Sequence, residues 1–327
     1  MRCRKCGETA VINMRQHKLA LCKEHYLEWL PAQTERFIRK YRMLRRDERV
    51  LVAVSGGKDS LALWDVLLRL GYQADAVYLG LGIDGGIGYS DESYARVKAF
   101  AAQRSGTKLH VLDVKATYGE SIPEVARRTR RGKGKPCSVC GLIKRHEMNR
   151  IAYEFGYPVL ATGHNLDDEA AVLLQNALNW NVGYLARQHP VLPASDGFAR
   201  KIKPFCRFYE RETAAYALLR GIDYIYEECP YSIGASTIYY KELLDSLEEK
   251  RPGAKLHFYL SFLRAKEKDG LLANWQEEKA RLDACEQCGQ PTSAPGRCAF
   301  CRLWPEEVVR PPTEAVVLPA PVRQDEQ

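Results

Sequence analysis

The stretch LVAVSGGKDSLALW, residues 51–64, joins two kinds of segment. Val50–Val54 is an apolar run of strand length, and Leu61–Leu70 carries apolar residues at helical spacing, so Ser55–Ser60 is a glycine-containing turn from strand to helix. Such a turn suits phosphate. Gly56 and Gly57 let backbone amides come close to an oxyanion, the helix N-terminus adds positive potential, and the Ser55 and Ser60 hydroxyls can donate to oxygens. The stretch nevertheless departs from the G-x-x-x-x-G-K-[ST] phosphate loop: Val52 stands where its first glycine belongs, and Asp59 follows Lys58 where a Ser or Thr belongs. Asp59 fits a metal-orienting or phosphate-orienting role better than a phosphate contact.

Outward from this turn, VLVAVS, DAVYLGLGI, LHVLDV, PVLATGH and DYIYEEC read as strands separated by helical patterns, including VCGLIKRHEMNRIAYEFG and DDEAAVLLQNALN. That alternation predicts an α/β fold with a doubly wound parallel sheet over residues 50–231. Around it we expect a Cys/His module at 1–32, a basic linker helix at 33–49, a charged helical region at 232–282, a second Cys module at 283–304 and a disordered Pro-rich tail at 305–327.

A chain of 327 residues can bury a core without covalent staples, so size does not explain its 11 cysteines. The opening MRCRKCGETA has no apolar leader, and no run approaches the ~18 apolar residues of a membrane helix. The expectation is a cytoplasmic protein with no membrane partner, its thiols reduced and free to bind metal. The net charge of +8 is uneven, concentrated in RRTRRGKGK (127–135) and RKYRMLRRDER (39–49). Such runs suit an anionic polymer and are equally compatible with solvated faces.

The cysteines fall into three groups. Cys3-x2-Cys6 with Cys22-x2-His25, and Cys285-x2-Cys288 with Cys298-x2-Cys301, each have the spacing of a closed tetrahedral zinc site, giving two Zn2+. Cys137-x2-Cys140 opens a helix inside the α/β core, beside a basic run that should lower its thiol pKa values, and Cys229 should lie at the carboxyl edge of the sheet. Three thiolates can hold a [4Fe-4S] cluster with one iron left open, and two of them can run a persulfide relay; the spacing leaves both readings standing. Cys206, in the apolar setting PFCRFY, reads as a small buried hydrophobe.

In its strand-turn-helix setting, SGGKDS resembles the S-G-G-x-D-S signature of the N-type ATP pyrophosphatases, the PP-loop family, whose members split ATP between its α and β phosphates. The core Cys-x-x-Cys, the motif GHNLDDEA (163–170) and the later lone cysteine, with a zinc module at each end, resemble the tRNA 2-thiouridine synthetases of the TtuA type and their wobble-uridine relatives. The resemblance covers residues 1–301. It implies ATP and Mg2+ held around Ala53, Ser55, Gly56, Gly57, Lys58, Asp59, Ser60, Leu81, Gly163 and His164. It implies a [4Fe-4S] cluster on Cys137, Cys140 and Cys229, with Lys144, Asp168 and Asp59 in catalysis. Lys144, one turn after Cys140, shares its side of the helix. Asp168 stands between Asp167 and Glu169, and His164 could be a structural histidine; the residues alone do not say which acid works. The implied partners are tRNA and a ubiquitin-like sulfur-carrier protein with a C-terminal thiocarboxylate, or sulfide, with room for a homodimer. Two other readings are an amide-forming PP-loop ligase, which would leave the core cysteines idle, and a zinc-dependent RNA-binding scaffold, which an intact Ser55–Ser60 turn argues against.

Overall fold

The computed structural model describes residues 1–195, 197–232, 236–273, 275 and 282–305. A hairpin of β1 (Ile12–Met14) and β2 (Leu19–Leu21) opens the chain and leads into α1 (Lys23–Lys40). The core continues through β3 (Arg49–Val54), α2 (Lys58–Arg69), β4 (Gln73–Gly80), α3 (Tyr89–Ala102), β5 (Leu109–Asp113), α4 (Val114–Tyr118), α5 (Ile122–Arg128), α6 (Pro136–Glu154), β6 (Val159–Thr162) and α7 (Leu166–Leu178). After α8 (Val182–Arg187) come two short strands, β7 (Val191–Leu192) and β8 (Arg200–Ile202), then α9 (Glu210–Leu219), α10 (Ser236–Lys250) and α11 (Ala254–Glu267). A last hairpin pairs β9 (Asp283–Ala284) with β10 (Pro291–Thr292).

Six strands form one sheet in the order β5-β4-β3-β6-β8-β7, parallel except for β7, which runs antiparallel to β8. The chain winds from β3 through β4 to β5 and then returns to the other side of β3 with β6. The winding therefore reverses between β3 and β6, and open α/β sheets bind ligands at the carboxyl ends beside such a reversal. The turns after β3 and β6, Ser55–Gly57 and Gly163–Asn165, meet there.

Successive side chains of a strand face opposite ways, and the buried residues follow that rule. Val50, Val52 and Val54 of β3 pack in one core cluster with Trp64 of α2 and the N-terminal Cys3 and Cys22. Leu51 packs in the other with Ile143 of α6 and with Cys285, Phe300 and Trp304 of the C-terminal module. The two Cys modules are thus built into opposite faces of the domain. None of the described helices is long and apolar enough to cross a membrane.

Two expectations change. The helix expected over 33–49 is α1, which starts at Lys23 directly after Cys22, runs through residue 32 and ends at Lys40, where Arg42 adopts a left-handed backbone (φ 50°). The zinc module and the linker helix are therefore continuous. DYIYEEC is not a strand: β8 occupies the free side of β6, and the segment crosses the carboxyl ends of the sheet with the Ile225 N–H donating to Gly56 O at 2.9 Å. Its Tyr224 and Ile225 are buried as a cover, which gives the same apolar pattern as pairing. Within 232–282 the described residues form the helices α10 and α11 and the turns around them. All but Pro305 of the tail expected to be disordered lies outside the described residues.

Candidate active site

The turn after β3 is fixed by its own small residues. Gly56 has φ +78°, and a Cβ there would lie 2.6 Å from Ser93 O of α3, so only glycine fits. The Ser55 N–H donates to Ser60 Oγ at 3.1 Å, and Ser60 Oγ donates to Gly57 O at 3.0 Å, which folds the loop over the start of α2. Gly163 makes the second close approach: a Cβ would meet Asp59 C and Ser60 N, both at 2.9 Å. Its missing side chain lets the turn after β6 seat directly on the first turn of α2.

Together these turns bound a cavity of about 330 Å3, within the range of small-molecule sites. Val77, Leu79, Leu81 and Ala53 form an apolar wall; Ser55, Gly57, Asp59, Ser60, Gly163, His164 and Asp168 form a polar one; and Cys140, Lys144 and Cys229 stand along a third side. Of the residues expected to touch nucleotide, Gly56 and Lys58 do not line the cavity. Lys58 turns aside, with Nζ 2.7 Å from Glu210 and 3.2 Å from Asp59. His164 is exposed at the cavity, its Nδ1 2.8 Å from the Thr162 hydroxyl, and is not a buried structural histidine.

The three neighbouring acids occupy different places. Asp167 is buried, accepts from the Glu210 N–H at 2.7 Å and pairs with buried Lys255 of α11. Glu169 is buried on Lys203 at 2.7 Å. Only Asp168 lines the cavity. It also closes the N-terminus of α7 by a capping box with Asn165, and its Oδ1 lies 2.6 Å from Lys241 Nζ of α10. Asp59 is held by Thr213, by Asn165 Nδ2 at 3.3 Å and by Lys58; burial raises its carboxyl pKa, with Lys58 opposing. Lys241, Glu210 and Thr213 had no local sequence signal, because distant helices bring them in. Asn165 was visible as the N-cap of an Asn-x-x-Asp box.

Cys140 and Cys229 both line the cavity, and Cys137, exposed at the start of α6, has its Sγ 3.3 Å from Tyr231 O. Cys229 reaches the carboxyl edge on the irregular 222–229 segment, not on a strand. The expected lowering of the Cys140 pKa does not hold: burial pushes the thiol up, Lys144 opposes, and Cys229 and Cys137 add to the rise. Cys206 is fully buried, as its apolar setting predicts, and burial raises its pKa.

Two four-donor groups have ligand atoms within 4.8 Å of one another, Cys3, Cys6, Cys22 and His25, and Cys285, Cys288, Cys298 and Cys301. In the first, His25 presents Nδ1, 3.2 Å from Cys22 Sγ. Both donor sets fit tetrahedral zinc. Among the described residues, Cys137, Cys140 and Cys229 do not form a group this tight. The C-terminal group rests on α6 itself: His146 Nε2 is 3.5 Å from Cys288 Sγ, and its ring stacks on Phe300 at 3.7 Å. A reversal-point cavity with an S-G-G-x-D-S turn defines an ATP-binding PP-loop protein, and the sequence model of the PP-loop domain matches residues 30–231.

The model of the N-terminal LIM domain of the 2-thiouridine synthetase TtuA matches residues 2–27. The tRNA-5-methyluridine(54) 2-sulfurtransferase of Thermus thermophilus is 52% identical over 98% of this chain and 96% of its own, and that of Pyrococcus horikoshii 43% over 93% and 94%. Among solved structures, the U34-tRNA thiolase NcsA from Methanococcus maripaludis with its [4Fe-4S] cluster matches with a TM-score of 0.74 at 25% identity, over 93% of this chain and 95% of that one. The chain belongs to the family of tRNA-5-methyluridine(54) 2-sulfurtransferases.

Proposed function

We propose that this protein uses ATP to replace the C2 oxygen of a tRNA uridine by sulfur, acting on 5-methyluridine in the T-loop. The observation that carries the chemistry is the convergence of the Ser55–Ser60 turn, Lys144, Asp168 and two core thiols on one cavity. The choice of nucleotide rests on the relatives at 52% and 43% identity. The division at 1–40, 41–231, 236–273 and 282–305 follows as two metal modules and a helical pair around one catalytic domain.

A uracil C2 oxygen is a poor leaving group, so it must first be activated. O2 attacks the α phosphorus, pyrophosphate leaves, and the C2–O–AMP linkage forms. A sulfur nucleophile then adds at C2, AMP departs with the oxygen, and one proton is released. The backbone amides of the turn with Ser55 and Ser60 hold the departing pyrophosphate, and the apolar wall around Leu81 takes the adenine. Lys144 supplies positive charge where negative charge develops as the oxygen leaves with AMP, and Asp168 accepts the proton released. Asp59 orients the loop and, with Asp168, offers carboxylate oxygen to Mg2+. Cys137, Cys140 and Cys229 would hold the [4Fe-4S] cluster, which supplies an open iron for sulfur delivery. We assign the sulfur to sulfide or to the C-terminal thiocarboxylate of a ubiquitin-like carrier; one chain suffices for the chemistry, and a homodimer is compatible with it. The target base must leave its stack at a cost of a few kcal/mol, and the exposed arginines of 127–135 beside Cys137 would hold the tRNA by its phosphates.

Wobble-uridine thiolation is the second reading, favoured by the likeness to NcsA. Pyrophosphate release from ATP with T-loop and anticodon stem-loop transcripts, each with and without the other, separates the two; a protein that releases pyrophosphate without any RNA contradicts both.

A further inference from the structure

A second concavity of about 430 Å3 lies between the N-terminal module, α1 and the segment before α9, and shares no lining residue with the active site. Its walls are aromatic: Trp29 lies edge-on to Phe208 at 5.9 Å, and Phe37 tilts against Phe208 at 5.3 Å. Its rim is cationic, formed by Arg36, Lys40 and Arg207, and no acid among the described residues lines it. Among the described residues none of these three cations has a carboxylate partner; Arg36 reaches only the Gln33 amide oxygen, at 3.2 Å. The Arg207 guanidinium lies over the Phe37 ring at 4.6 Å, and among the described residues its buried Nε has no hydrogen-bond partner. A buried donor of this kind is costly unless something fills it. Burial first, and then the charges of Arg207 and Arg211, hold the His17 pKa down.

Elsewhere in the chain arginines pair with acids, as Arg39 and Arg46 do with Glu35. Here unpaired cations ring aromatic faces, the combination that binds unstacked nucleotides: the rings take the base and the cations its phosphates. We propose that this pocket holds one unstacked nucleotide of the tRNA, other than the one being thiolated, and so anchors the RNA through the N-terminal module. The proposal rests on tRNA being the substrate.

The test uses the full-length, metal-loaded protein with an unmodified tRNA transcript and two variants. Trp29→Leu keeps an apolar wall but removes the stacking face, and should weaken tRNA binding by about five-fold or more, within the ~5- to 150-fold range for one stacked base. Arg36→Gln, exposed on α1, should lower the slope of log affinity against log salt by about 0.7. Pyrophosphate release at saturating tRNA should stay at the wild-type rate in both. A 4-thiouridine-substituted transcript should cross-link to the peptide carrying Trp29 and Phe37. Affinity lost in Arg36→Gln but not in Trp29→Leu would reduce the pocket to a solvated cationic face and overturn the proposal, as would native affinity in both variants. If Trp29→Leu does not fold, the wild-type cross-link decides alone, its absence refuting the pocket. Wild-type protein that binds no tRNA defeats the proposed function itself, a result distinct from these.

Discussion

Replacing Gly56 by alanine tests the loop geometry most sharply. Two costs add. At φ +78° a non-glycine residue loses about 1–2 kcal/mol to the clash of its Cβ with its own backbone. The new Cβ would also stand 2.6 Å from Ser93 O and 3.0 Å from Ser93 Cα, which are backbone atoms of α3 and yield only if the helix moves. An overpacked contact of that kind costs roughly a further 1–3 kcal/mol, so the variant should lose about 2–5 kcal/mol in urea unfolding. If the loop shifts to relieve the clash, the phosphate grip is misplaced, and a displacement near 1 Å lowers the rate by about 100-fold. Gly57→Ala is the control: Gly57 has φ −80°, and its nearest neighbour to a new Cβ is Ser55 Oγ at 3.5 Å. It should cost under about 1 kcal/mol of stability. A Gly56→Ala protein with wild-type stability and a native rate of tRNA-dependent pyrophosphate release would refute this account of the loop.

Cys229→Ser should lose the cluster's visible absorption in anaerobic protein while metal analysis still finds both zincs; a full iron complement would remove Cys229 from the ligand set. Asp168→Asn should lower thiolation by about 100-fold or more with a stability change of about 1–2 kcal/mol, because its cap is one hydrogen bond and Lys241 keeps Glu210 as a partner; native thiolation would show that Asp168 is structural alone. Glu212 is fully buried between the Gln16 amide and the Tyr209 N–H, and burial lifts its carboxyl from the ordinary 4.5 to about 7. The folded state then holds more protons than the unfolded one between those values, so stability falls as pH rises through that window, by up to ~3 kcal/mol. Glu212→Gln should flatten the dependence between pH 5 and 8 in urea unfolding, and an unchanged slope would exclude Glu212 as its source.

Much of the core was legible because alternation of strand and helix patterns is a local property. Val50, Val52 and Val54 against Leu51 already specify a strand buried on both sides, and the glycines and hydroxyls of 55–60 specify the turn that follows. DYIYEEC misled because burial under a crossing segment and burial in a sheet select the same residues. The metal groups were readable from spacing because their ligands lie on short hairpins and single turns. The sequence could not separate Asp167, Asp168 and Glu169, since that depends on Lys255, Lys241 and Lys203, which arrive from three other segments. The direction of the Cys140 shift was missed for a related reason: charge is visible in the sequence, whereas the burial that outweighs it comes from packing against the sheet.

The central claim is that the Ser55–Ser60 turn and the core thiols act together to thiolate 5-methyluridine of the tRNA T-loop. Mass spectrometry of nuclease-digested tRNA from cells lacking this protein tests it most directly, with the deletion complemented by the wild type and by Cys140→Ser. The account predicts loss of 2-thio-5-methyluridine, restored by the wild type alone, with the anticodon uridines unchanged. Intact 2-thio-5-methyluridine in the deletion strain, or its full restoration by Cys140→Ser, would contradict it.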